Sequence, residues 1–306
     1  MGLTSNTALI RATARAAFWQ AFEDTPSTHE QVSKRVDSNA DQETYPGLFY
    51  APRPRQMSGG RDHRSVPGFN FTIVNTKWES TVDIGYELVK FGKLGAVESL
   101  LSSLGQKAKN YPSRLMGDLM NAGDGVVGHD GQNFYGATHV DPGARYTTSQ
   151  DNDLTSAAAT GTTPTNLEMY TALQAHRAAY DGFLDGDGDP VPPKENAKFY
   201  VLCSSANMPM GRAVYKNDQL TGPINNDLKG MFEPILNPYS DAGAEFFTVH
   251  AGARRPFIYQ VAEDVSLTDN MGGDSEFETR DVAFGSFGYY NVGYGEWRSS
   301  VRHIFT

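Results

Sequence analysis

Between Ala51 and Gly68 the chain reads APRPRQMSGGRDHRSVPG, with four arginines, three prolines and three glycines. Proline fixes the backbone and withholds a donor, glycine costs chain entropy, and arginine resists burial, so the stretch cannot form a packed core of its own. It leads into FNFTIVNTKWESTVDI, rich in β-branched and aromatic residues, which predicts strand. Together they describe a long, exposed, hairpin-like arm. Nothing else in the chain is an obvious cover for it, so its expected partner is another subunit.

The remaining segments can supply a core. LIRATARAAFWQAF, Leu9 to Phe22, is alanine-rich and predicts a helix. TPSTHEQVSKRV follows, with Pro26 and Ser27 as a second helix start and His29 and Glu30 in its first turn. Leu94, Val97, Leu101, Leu104 and Ala108 recur at steps of three and four, one apolar stripe of a long helix that Pro112 kinks or restarts before Leu115, Met116, Leu119 and Met120. Asp124 to Thr163 is rich in glycine, threonine and asparagine and reads as loop with short strands. A helix capped by Thr163 or Thr165, a buried strand AKFYVLCSS and a short helix ANMPMGRAVYKN come next. EFFTVHA, RPFIYQVAEDVSL and the alternating tail DVAFGSFGYYNVGYGEWRSSVRHIF predict strands. In the tail, Phe284, Tyr290, Val292, Tyr294 and Trp297 offer large apolar surfaces to match the stripe of the long helix. The order makes the fold class α+β.

Charge and motifs limit the chemistry. The formal net charge is −10, which argues against a domain that grips duplex DNA. Cys203 is the only cysteine, so there is no internal disulfide framework; it lies in an apolar strand, where a buried inert thiol is expected. No apolar run reaches membrane-spanning length and the N-terminus has no signal-peptide core, so a soluble chain made in a reducing cytoplasm is expected.

Two clusters invite a site. In GHDGQNFYGATHVDPGAR, His129 and His139 accompany Asp130 and Asp141, but ten residues separate the histidines, no HExxH occurs, and Asp130-Gly131 is an ordinary turn pair. In DGFLDGDGDPVPP, Asp185, Asp187 and Asp189 resemble the first ligands of a calcium loop, yet Pro190 and Asn196 stand where that loop needs Gly and Glu. Both are expected to be turns, with weak calcium binding near Asp185–Asp189 left open. No nucleophile elbow, SxxK or phosphate-binding glycine loop occurs. The expectation is no catalytic, cofactor or metal residue, and no enzyme.

Several stretches, in order, carry a resemblance: AFWQAFEDTPSTHEQVSKRV, NTKWESTVDI, AKNYPSRLMGDLMNAG, HDGQNFYGATHVDPG, DGDGDPVPPKENAKFYVLCSS and FGYYNVGYGEWRSSVRHI. The chain resembles the Mu-type phage major head subunits, the gpT family. The resemblance implies the Hong Kong 97-type capsid fold: an N-terminal arm at 1–45, an E-loop at 46–82, a P-domain with a spine helix (about 88–122) at 83–159, an A-domain at 160–275, and strands returning to the P-domain at 276–306. It implies a major capsid protein that self-assembles, as pentamers and hexamers, into an icosahedral shell around double-stranded DNA. It further implies scaffold, portal and decoration proteins as partners, no membrane, and a place in the virion after assembly in the host cytoplasm. The alternatives are an encapsulin-like compartment shell, a metal-dependent hydrolase using His129, His139 and Asp141, and a carbohydrate-binding or tail-tube protein suggested by the aromatic tail.

Overall fold

A computed structural model of the chain describes all residues except 1–2, 47–49, 52, 55, 58, 60–69, 86–87, 89–92, 160–162, 192–197, 221–223, 241–243 and 271–280. The helices are α1 (Leu3–Asp24), α2 (His29–Val32), α3 (Leu94–Asn121), α4 (Asn166–Gly182) and α5 (Met208–Lys216). The strands are β1 (Ser33–Asp37), β2 (Gln42–Pro46), β3 (Asn70–Val74), β4 (Thr76–Gly85), β5 (Asp153–Ser156), β6 (Phe199–Cys203), β7 (Phe232–Leu236), β8 (Glu245–His250), β9 (Phe257–Asp269), β10 (Asp281–Tyr294) and β11 (Ser300–Phe305).

Three sheets result. One has the order β1-β9-β10-β4, one β5-β11-β8-β6-β7, and β2 and β3 pair only with each other. In β10 the even residues Val282, Phe284 and Tyr290 are buried, as the alternation predicts. The stripe of α3 is buried at Val97, Leu101 and Leu104, and these side chains meet Phe284, Val282, Leu267 and, from α1, Ile10, Ala14 and Phe18. The two helices approach closely because Gly105 has no side chain: a Cβ there would lie 2.4 Å from the Phe18 carbonyl oxygen. Asp269 on β9 then pairs with Arg11 and Arg15, fastening α1 to the sheet.

The other sheet has a separate core. Phe199, Val201, Phe246, Phe247, Val249 and Val301 pack with Met169, Leu173 and Tyr180 of α4. Thr165 caps α4 in a reciprocal box with Glu168. Cys203 is buried here, and burial pushes its thiol up to about 12, so it is unreactive.

The structure corrects three expectations. The second helix is one turn long; Ser33 turns its hydroxyl back to the His29 carbonyl, and the chain leaves as β1, paired in parallel with β9. Cross-strand pairing overrides local helix preference there. The long helix, first described from Leu94, is one helix as expected, with Pro112 buried inside it and no restart there. Next to it, Ser113 bonds Ser27 and the His29 backbone N–H, so α2 packs against the position where the proline removes a donor. The tail divides between sheets. β10 lies between β9 and β4, whereas β11 joins β8 and β5. Trp297 accordingly packs in the second core, against Phe183, and not against the α3 stripe. One strand was unforeseen: β7, an edge strand whose Pro234 needs no ladder donor.

Candidate functional site

The glycine-rich loop that follows α3 is held by its own polar groups. Gly131 takes φ 84°, the left-handed conformation that closes the Asp130-Gly131 turn, and Asp130 Oδ1 accepts from the Gln132 N–H at 3.2 Å. Asp130 Oδ2 lies 2.6 Å from His139 Nδ1. The other ring nitrogen faces Asn152 Oδ1 at 3.1 Å. Asn152 is oriented independently: its Oδ1 accepts from the Gly136 N–H and its Nδ2 donates to the Phe134 carbonyl. Both ring nitrogens of His139 therefore face side-chain oxygens. The ring stacks on Trp297 at 4.0 Å. Burial pushes the pKa of Asp130 up, but the bond to His139, the neighbouring histidines and the Gln132 N–H together outweigh it and hold the carboxyl below the usual range.

Asp141, from the same loop, serves a different partner. Its Oδ2 lies 2.7 Å from Arg298 Nη2, and Arg298 Nη1 lies 3.1 Å from Glu296 Oε1. Arg298 is 1% exposed and Glu296 0%. Arg254 reaches the other Glu296 oxygen at 3.2 Å. Two cations thus meet two carboxylates. Burial disfavours the charged Glu296, yet Arg298, His129 and Arg254 outweigh it and its carboxyl stays below the ordinary value. Such a group stands only while every charge has its partner.

This ionic hub touches the beginning of the arm. The Arg254 guanidinium lies 3.8 Å from the centre of the Tyr50 ring, and that of Arg298 5.7 Å. Three residues on, the Arg53 N–H donates to Asp187 Oδ2 at 3.0 Å, and its side chain lies 3.7 Å from Asp189. Asp187 and Asp189 present themselves because Asp185 Oδ1 accepts from both their N–H groups at 2.9 Å. The acidic loop is a turn closed by an aspartate side chain. Its Gly186 carbonyl accepts from Arg145 and Tyr146, joining it to the histidine loop.

The base of the arm is tied on the other side. The Tyr45 hydroxyl donates to Gln260 Oε1 at 2.7 Å, and Gln260 Nε2 donates to the Ile73 carbonyl and to Asn75 Oδ1. Ile73 is buried over Gly293, where a Cβ would come within 2.3 Å of its Cδ1. Above that point β2 and β3 stand off, and the tip lies largely outside the described residues.

The two clusters that looked like metal or acid–base sites are thus brought together around the first residues of the arm. Their carboxylates are engaged by arginine, histidine and backbone N–H groups, and among the described residues no three His, Cys, Asp or Glu side chains are placed to hold a metal ion. His129 and His139 do not converge on one point: the first faces the Gly295 carbonyl, the second Asp130. Sequence reasoning missed Tyr50, Asn152, Arg254, Glu296 and Arg298. The one available signal was Glu296-Trp297-Arg298, two charges inside an otherwise apolar tail, the signature of a buried pair.

Comparison with known proteins gives this arrangement a context. The sequence profile of the family described as Mu-like prophage major head subunit gpT matches residues 7–178, more than half of the chain. The major capsid protein of Escherichia phage Mu is 27% identical over 125 residues, an alignment that spans 41% of this chain and only 41% of the Mu protein. Three solved structures are similar throughout. The procapsid subunit of bacteriophage JBD30 covers 100% of this chain and 77% of its own, with a TM-score of 0.56 at 19% identity. The capsid of cyanophage P-SCSP1u covers 92% and 89% (0.58, 9% identity), and the virus-like particle of Pyrococcus furiosus 95% and 98% (0.57, 9% identity). The shared fold is the Hong Kong 97 type of phage capsid subunits.

Proposed function

The chain belongs to the Mu-like prophage major head subunit gpT family, and from that premise we propose that it is a major capsid protein whose copies assemble into an icosahedral shell around double-stranded DNA. The observation that carries the reading is the β2–β3 hairpin. Among the described residues it pairs with no third strand, and three of the five β2 residues are exposed. An isolated two-stranded hairpin is marginal in water, so it needs a cover, and a neighbouring subunit supplies it. The role is structural and not catalytic. The subunits form pentamers and hexamers, with scaffold, portal and decoration proteins as further partners, and the site of action is the virion, assembled in the host cytoplasm. A net charge of −10 suits a container whose packed DNA is held without tight contacts.

In this reading α1 and its surroundings are the N-terminal arm, β2–β3 and the segment between them the E-loop, and α3 with the β1-β9-β10-β4 sheet the P-domain. The sheet carrying β8, β6 and β7 with α4 and α5 is the A-domain, and β11 belongs with it. The test is deletion of Pro52 to Val66. The shortened subunit should unfold at the parent's temperature but give no shells by negative-stain microscopy. Normal shells from the deletion variant would refute the arm's role.

A compartment shell of the encapsulin type is the second reading, favoured by the likeness to the Pyrococcus furiosus particle along nearly all of both chains. Nuclease-protected DNA inside purified shells supports a virion; protein cargo without DNA supports a compartment.

A further inference from the structure

A groove of about 640 Å³ runs between α3 and the edge of the β1-β9-β10-β4 sheet. Its apolar surface comes from Trp78, Tyr111, Val265, Phe287 and Tyr290, of which all but Tyr290 are only half-buried. Trp78 is fixed in place: its ring N–H donates to the Tyr290 carbonyl at 3.0 Å, and its ring lies 4.8 Å from that of Tyr111. The groove is concave, apolar at its floor and polar at its rims, the general form of a site that receives a partner.

The α3 wall carries two cations, Lys107 and Arg114, both exposed. Neither has a carboxylate within ion-pair distance among the described residues, although most other cations of the described chain are paired in this acidic protein. They are seven residues apart, so they share one face of α3 and lie about 10 Å from each other along its axis. From Ser103 to Arg114 the wall extends for about 16 Å, the length of three helical turns. The opposite lip carries Glu79, which accepts from the Thr81 hydroxyl at 3.1 Å. The groove is therefore positive on its α3 side, negative at its β4 lip and aromatic between.

We infer that this groove receives an acidic amphipathic helix from a partner protein, about three turns long, lying along α3. Its carboxylates, seven residues apart, pair with Lys107 and Arg114, and its apolar stripe rests on Trp78 and Tyr111. A helix repeats its face every seven residues, so the spacing of the two cations matches such a partner, whereas extended chain places residues an odd number apart on opposite faces. The β4 lip excludes a helix acidic all round.

The experiment uses full-length, unassembled subunit and a fluorescein-labelled 14-residue helical peptide with a leucine stripe flanked by glutamates seven residues apart. Fluorescence anisotropy should show saturable binding, weakened about tenfold by Lys107→Glu with Arg114→Glu and unchanged by Lys34→Glu with Lys216→Glu. Added salt should weaken it too. Both pairs are exposed, and a thermal melt verifies that each variant is folded. A peptide with lysines for the glutamates should not bind. Absence of binding, equal binding of both peptides, or indifference to the double reversal overturns the inference. So does subunit self-association that the same reversal abolishes, which would make the groove a contact between copies, or binding of a duplex DNA probe that the reversal abolishes.

Discussion

The β5-β11-β8-β6-β7 sheet and the β2–β3 hairpin are both β-structure of one chain, and they solve opposite problems. In the sheet, β6 and β8 are almost wholly buried and covered by α4 and by the loop that carries His139. In the hairpin the residues alternate between exposed and half-covered, and only Ile73 is buried. The first region is covered on its buried face by elements of its own chain. The second is tied at its base and otherwise left largely open. The difference teaches where each kind of mutation will be felt: in the sheet as lost folding, in the hairpin as lost association.

The largest effects are expected where the self-sufficient region is opened. Arg298→Leu leaves Asp141 without its arginine and Glu296 with Arg254 alone, and breaking a buried ionic group in this way costs about 3–5 kcal/mol. Thermal unfolding of the unassembled subunit should register it, with partial recovery when Glu296→Gln is added. A single variant that melts like the parent would mean that the hub does not hold the fold. Trp297→Ala removes the ring between His139 and Phe183, at a similar cost of about 3–5 kcal/mol, and should reduce soluble yield and assembly together.

Acid probes the same contrast. Burial lowers His29 and His303 from their ordinary range to about 4, and pushes His176 well below it. The unfolded chain takes up these protons first, so stability is full above pH 6.5 and falls progressively as the pH drops to about 4. Each of the first two histidines contributes on the order of 3 kcal/mol to the loss. A series of melts between pH 7 and pH 4 checks this. His303→Gln should flatten the slope, and an unchanged slope would remove that histidine from the account.

Smaller effects belong to the hairpin. Tyr45→Phe deletes one hydrogen bond to Gln260, worth about 1 kcal/mol. It should leave the melt nearly unmoved while hydrogen exchange quickens in β2 and β3 alone. Asp187→Ala is smaller still, roughly 0.5 kcal/mol or less in the melt. Its signature is faster trypsin cleavage after Arg55, because the first residues of the arm lose an anchor. Collapse of that variant would instead make the acidic loop an ion site and reverse the comparison.

Much of the fold was legible because periodicity is local. The steps of Val97, Leu101 and Leu104 declared one face of α3, and the even positions of β10 declared one face of a strand. The cap at Thr165 was written in its own neighbourhood. What stayed hidden depends on partners far along the chain. Ser33 to Asp37 becomes strand because β9 lies alongside, more than two hundred residues away. Arg298 pairs with Asp141 across the same kind of distance, so neither residue could be read as half of a pair. The candidate site was visible as residue types, histidine, aspartate and glycine, but not as the foundation of the arm, which only folding assembles.

The junction of β3 and β4 has a mechanical consequence. Only Asn75 separates them, and β4 then runs beside β10 in an unbroken antiparallel register from Thr76 opposite Tyr290 to Gly85 opposite Asp281. A pull on the hairpin along the strand direction therefore loads that ladder in shear. Its hydrogen bonds share the force and must fail together, whereas a sideways peel would open them one at a time. The attachment of the hairpin is therefore strongest along the strands and weakest across them.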